Sequence, residues 1–194
     1  MKIAFYVYPT AFQSPGGGEV QLLKTKEYLE KEAANENIEV RLFDPWRDKL
    51  KDFDILHTFG SVKDCLPMML AAEQAGIKNA LSTICWYSWT SAFGTYGTFT
   101  QKGLSVGRQL AKCFFPFLPS ERKKMMQCAD ILFPNSQSEA DQLSRYFCIS
   151  KEKIFTVPNG VDSSFASASP DPFIKKYGFQ DFILCVGRIE PRKN

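Results

Sequence analysis

The chain has 194 residues, 44% hydrophobic and 23% charged, with a formal net charge of +3. That composition reads as soluble and globular, and no run approaches the roughly 18 apolar residues of a membrane span. Six cysteines without a C-x-x-C pair, beside a single histidine, argue against a Cys/His metal site and for reduced thiols in a cytoplasmic protein.

The start, "MKIAFYVYP", has a short apolar run and no small-residue cleavage site, so it reads as a strand rather than a leader. Its core "IAFYVY" (3–8) is continuous, as in a parallel strand buried on both faces. A loop with Pro9, Pro15 and three glycines follows, and then Val20, Leu22, Leu23, Leu29 and Ala33 mark a helix of about 18 residues. "IEVRLF" (38–43) and "FDILHTF" (53–59) read as strands. "CLPMMLAAEQAG" (65–76) reads as a helix with Pro67 in its first turn and Gly76 as its stop. "NALSTIC" (79–85) and "DILFPN" (130–135) are strands. "SQSEADQLSRYF" (136–147) opens with Ser136 and has Glu139 three residues on, the signature of a capping box. "KIFTVPNG" (153–160) reads as a strand, "DPFIKKYG" (171–178) as a short helix and "DFILCVG" (181–187) as the last strand.

Repeated strand–helix units predict an α/β fold, a Rossmann-like doubly wound parallel sheet. The interruption at 86–129 reads as an inserted loop with one or two helices. It holds nine aromatics between Trp86 and Phe117, and 102–124 carries six basic residues against one acid. The positive charge is therefore a local patch, which argues against a general polyanion binder. Most of these aromatics read as packing. "CFFPFLP" (113–119) is the best candidate for surface exposure, and 97–124 is a candidate for peripheral contact with a membrane. Nucleic acid is disfavoured as a partner, since no recognition fold appears. The small polar run after 163 predicts a boundary: residues 1–163 as one domain, 164–170 as a linker, and 171–194 as the beginning of a second domain.

"SPGGGEVQLL" (14–23) sets glycines before a helix N-terminus, where free N–H groups and the helix dipole favour an anion. The spacing does not fit G-x-G-x-x-G, which counts against a dinucleotide-dependent oxidoreductase. In "VGRIEPRKN" (186–194), Arg188 and Lys193 follow a strand end, where open α/β sheets bind ligands. Two cations on a proline-stiffened loop can hold a diphosphate; taken alone, the same residues also read as a solvated charged turn.

In chain order come the glycine loop, "NSQSEADQL" (135–143), "IFTVPNGVD" (154–162) and "VGRIEPRKN" (186–194). This set resembles the family 4 retaining glycosyltransferases of the GT-B fold. The resemblance implies two Rossmann-like lobes, with this chain the acceptor-side lobe plus the start of a donor-binding one, and a cytoplasmic enzyme of polysaccharide assembly, open to peripheral contact at the inner membrane face. It implies transfer of a hexosyl unit from a nucleotide diphosphate-sugar to a glycan or lipid-linked acceptor with retention, without metal or cofactor. By motif match, Gly16, Gly17 and Gly18 approach the donor phosphates, and Arg188 and Lys193 are the catalytic cations. Glu19, His57, Cys85, Trp86 and Ser136 complete the candidate substrate contacts. Cys85 stands where relatives often have histidine, and a thiol is a weak substitute for imidazole as a hydrogen bonder. The truncated chain alone is expected to be inactive. The alternative is a non-catalytic glycan- or membrane-binding module.

Overall fold

The computed structural model describes residues 1–85, 98, 100–101, 103–104, 106–107, 120–179 and 181–183. Five parallel strands form one sheet: β1 (Lys2–Tyr6), β2 (Glu39–Leu42), β3 (Ile55–Phe59), β4 (Lys78–Ser82) and β5 (Ile131–Phe133), in the order β2-β1-β3-β4-β5. Parallel neighbours need crossovers, and right-handed crossovers running in opposite directions from the β1/β3 boundary put helices on both faces. The fold is thus α/β and doubly wound, with its topological switch between β1 and β3.

Side-chain alternation along the strands sorts two cores. On one face Ile3, Phe5, Val40 and Phe59 pack with Leu22 of α1 (Gly17–Glu32). On the other, Ala4, Tyr6, Leu56, Leu81 and Leu132 pack against Met69 of α2 (Leu66–Gln74), Met125 and Met126 of α3 (Glu121–Cys128), and Leu143 and Phe147 of α4 (Gln137–Phe147). The buried residues of α1 are Glu19 and Leu22, with Leu29 partly covered and Ala33 buried just past its end, whereas Val20 and Leu23 lie on an exposed flank.

Local chemistry explains the helix ends. Pro67 occupies the first turn of α2, where its missing N–H costs nothing. Gly76, at φ +74°, closes it: the Gly76 amide donates to the Glu73 carbonyl and the Ile77 amide to that of Ala72, a Schellman stop. A short helix, α5 (Asp171–Tyr177), ends on Gly178 at φ +71°.

The strand expected at 153–160 is reduced to a parallel bridge between Ile154 and Leu132, continued by hydrogen bonds from the Phe155 amide to the Leu132 carbonyl and from Val157 to Pro134. Residues 163–167 form a 3-10 turn where the linker was expected to begin, and Phe155, Val157, Val161 and Phe165 are all exposed. Of the expected strand at 181–187, residues 181–183 are not extended into a sheet, and the rest lies outside the described residues. No helix among the described residues is long and apolar enough to cross a membrane.

Candidate functional site

The loops that follow β1, β3, β4 and β5 all leave the carboxyl edge of the sheet, two of them flanking the switch point. The loop after β1 makes a 3-10 turn at Ala11–Gln13 and enters α1 with Gly16 as N-cap. Glu19, buried two residues past Gly17, turns its carboxylate back into the protein. One oxygen accepts from the Gly16 amide at 2.6 Å and the other from the Tyr8 hydroxyl at 3.3 Å. The Gly16 amide is therefore already held by an internal anion.

Gly17 and Gly18 differ. Neither has a positive φ; a Cβ on Gly17 would meet nothing within 4 Å, and one on Gly18 only an ordinary contact with the Ile84 side chain at 3.5 Å. Their amides belong to the first helical turn, which has no carbonyls of its own to bind, and they have no partner among the described residues. Glycine is not required at either place by backbone conformation or by crowding.

A second carboxylate organises the other loops. Glu139, 5% exposed, accepts from the Thr83 hydroxyl and the Cys85 amide, both at 2.6 Å, and from the Asn135 amide at 2.9 Å. Ser136 caps α4 by accepting from the Glu139 amide at 3.2 Å. Only half of the expected capping box forms: the carboxylate reaches past the N-cap to Asn135 and across to the β4 loop. The network extends further. Asn135 Oδ1 accepts from Gln21 of α1 at 3.0 Å, Ser61 donates to the Thr83 carbonyl, and Arg122 Nε donates to the Ser61 carbonyl at 3.1 Å. Between Thr83 and Cys85, Ile84 sits at φ +42°, a strained conformation for a β-branched residue. Two of the basic residues expected in the patch are thus committed locally: Arg122 to Ser61, while Lys123 is buried.

His57 lies on the α1 face of β3. Its ring stacks on Phe59 at 4.3 Å between centroids, meets Phe5 edge-on and lies tilted against Phe133, and Nε2 is 2.9 Å from the Ser82 hydroxyl. Burial among these rings lowers its pKa from 6.5 to about 3. The unfolded chain takes up that proton near the ordinary value and the folded chain does not, so stability falls as pH drops from 6.5 toward 3. His57 is the only histidine. The urea midpoint is therefore expected to fall between pH 7 and pH 5, and His57→Phe is expected to flatten that slope; an unchanged slope in the variant contradicts the assignment.

Trp86, Arg188 and Lys193 lie outside the described residues, as does nearly all of the aromatic and basic run 86–119. The remaining site candidates (Gly16, Gly17, Gly18, Glu19, Cys85 and Ser136) come from the β1, β4 and β5 loops on one edge, with His57 behind them in the sheet. Sequence reasoning missed Thr83, Asn135 and Gln21, whose roles depend on contacts distant in the chain.

A separate polar pocket of about 200 Å³ opens at the opposite edge, between Glu73, Lys78, Cys128, Asp130 and Lys153. Its charges are satisfied internally: Lys78 pairs with Asp130 at 3.1 Å, and Lys153 donates to the Ala129 carbonyl at 3.0 Å. Burial by itself would raise the Asp130 pKa, but the Asn79 amide and Lys78 outweigh it and lower it. Burial and the neighbouring Glu73 push the Cys128 thiol up to about 11, which leaves it unreactive. Among the described residues no group of three His, Cys, Asp or Glu side chains is arranged to hold a metal.

No family model matches the chain. No curated protein matches it. Among solved structures it is similar to a glycosyltransferase from Rickettsia africae ESF-5, at 14% identity and a TM-score of 0.49 over 91% of this chain and 49% of the other. The chain spans about half the length of that structure.

Proposed function

We propose that the chain is the acceptor-side lobe of a retaining glycosyltransferase, which moves a hexosyl unit from a nucleotide diphosphate-sugar to a glycan or lipid-linked acceptor. Residues 1–163 form that lobe, 164–170 link it, and 171–194 begin the donor-side lobe. The observation that carries the reading is the pair of first-turn amides of Gly17 and Gly18, open at the switch point of a doubly wound sheet. In a helix, glycine costs about 1 kcal/mol relative to alanine, and neither crowding nor a left-handed backbone requires it here. Close approach of an anionic ligand from outside accounts for it. The motif resemblance supplies the anion's identity, a sugar-linked diphosphate. The exposed apolar residues between 155 and 165 fit a second lobe packing nearby.

In this reading Arg188 and Lys193 hold the diphosphate from the donor side. The bond from the sugar anomeric carbon to the diphosphate oxygen breaks, and the acceptor hydroxyl attacks on the same face. Its proton passes to the departing phosphate oxygen. The cations and amides stabilise the charge that grows on that group.

The test is Gly17→Ala in an enzyme carrying both lobes. The fold is expected to keep or raise its Tm, because the added methyl meets nothing inside the chain. Transfer is expected to slow by about 10- to 100-fold, the scale of a 1 Å misplacement of substrate. Unchanged turnover contradicts the reading.

A further inference from the structure

Trp46 is 94% exposed, so neither face of its indole is covered. Single exposed apolar residues are ordinary. This one differs in its support. Asp44-Pro45-Trp46-Arg47 is a tight turn, with the Arg47 amide on the Asp44 carbonyl at 3.1 Å and Pro45 at the position that presets its φ. The Asp48 amide donates to the same carbonyl at 2.8 Å. Asp44 Oδ1 accepts from the Trp46 amide at 2.9 Å, and Asp48 accepts from the Asp44 amide at 2.9 Å and from Arg41 at 2.9 Å. Five hydrogen bonds thus hold rigid the turn that presents this bare indole to solvent.

The turn follows β2, and the Phe43 amide donates to the Phe5 carbonyl at 2.8 Å, so it stands on the same sheet edge as the glycine loop. The neighbouring side chains of the turn are charged: Arg47, largely exposed, lies 3.6 Å from Asp44. An apolar partner surface would be poorly matched there. A pyranose ring is well matched, with an apolar C–H face for the indole and hydroxyls for a carboxylate and a guanidinium.

We infer that Trp46 is a stacking platform for a sugar ring of the acceptor, flanked by Asp44 and Arg47 as hydroxyl partners. This rests on the proposed acceptor-side role. It adds a subsite beyond the glycine loop and makes the acceptor a saccharide long enough to reach the β2 turn.

The test uses residues 1–194 with ¹⁵N-labelled tryptophan indoles and backbone amides, the Trp46 indole being assigned by its loss in Trp46→Phe. The probes are maltose, cellobiose, chitobiose and UDP. At least one disaccharide is expected to shift the Trp46 indole saturably. Trp46→Ala is expected to weaken that binding by about tenfold or more, as for a buried-on-binding tryptophan anchor. Trp46→Tyr is expected to restore most of it, with an unchanged far-ultraviolet spectrum because the side chain packs on nothing. A Trp46 indole that no disaccharide moves, or that UDP alone moves, overturns the inference. If the disaccharides shift amides of the glycine loop but not Trp46, this subsite falls and the acceptor-side role stands; if they shift neither, both fall.

Discussion

Glu139→Ala is expected to lower the unfolding free energy by about 3–5 kcal/mol, since it strands three donors in or near the interior at about 1–3 kcal/mol each. The Thr83 hydroxyl, the Cys85 amide and the Asn135 amide all end on this one carboxylate. Thr83 is fully buried, so water cannot replace the lost acceptor. The strained Ile84 lies between two of the held groups and would relax when they are released. Against a total stability of about 5–15 kcal/mol, the loss is large, and the Tm is expected to fall by about 10 °C. Ser136→Ala, which removes one cap bond from the same helix, is expected to cost only about 1 kcal/mol. Urea denaturation of both variants checks the contrast; equal losses would mean that Glu139 acts as a local cap and nothing more.

Arg188→Ala is expected to slow sugar transfer by about 10²–10³-fold, equivalent to about 3–4 kcal/mol of transition-state stabilisation. In the proposed reaction the leaving diphosphate gains charge as its bond to the sugar breaks, and a guanidinium suits it because it can offer two parallel hydrogen bonds. Lys193 offers a point charge without that fork geometry, so Arg188→Lys is expected to recover only part of the rate. The measurement is kcat with a nucleotide-sugar donor in an enzyme that carries both lobes. A variant with normal turnover removes Arg188 from the chemistry.

Much of the fold was legible because its determinants are local. The continuous apolar run of β1, Pro67 and Gly76 at the two ends of α2, and Ser136 before α4 each act within a few residues, and each element stands where the pattern put it. What failed depended on neighbours distant in sequence. Helical spacing counted Val20 and Leu23 with Leu22, yet only the packing of α1 on Phe5, Val40 and Phe59 decides which flank is buried. The run 153–160 has strand-like residues, but its ladder beside β5 stops near Pro158.

The site was legible to a similar depth. Glycines before a helix are visible in any sequence. That Gly16 is held by Glu19 while Gly17 and Gly18 stay open is visible only in three dimensions. The Ser136–Glu139 spacing pointed to a local cap, but besides the nearby Asn135 amide the carboxylate binds groups more than fifty residues away, because the sheet brings the β4 and β5 loops together. Trp46 left no signal, since a lone aromatic in a charged loop belongs to no periodic pattern.

In the proposed enzyme the open amides of Gly17 and Gly18 and the cation of Arg188 meet on one diphosphate. A double-mutant cycle measures this most directly: kcat/KM for Gly17→Ala, Arg188→Ala and the pair. Groups acting on the same ligand are predicted to couple, so that the double variant loses clearly less than the product of the single losses. Strict additivity, with each substitution blind to the other, would contradict it.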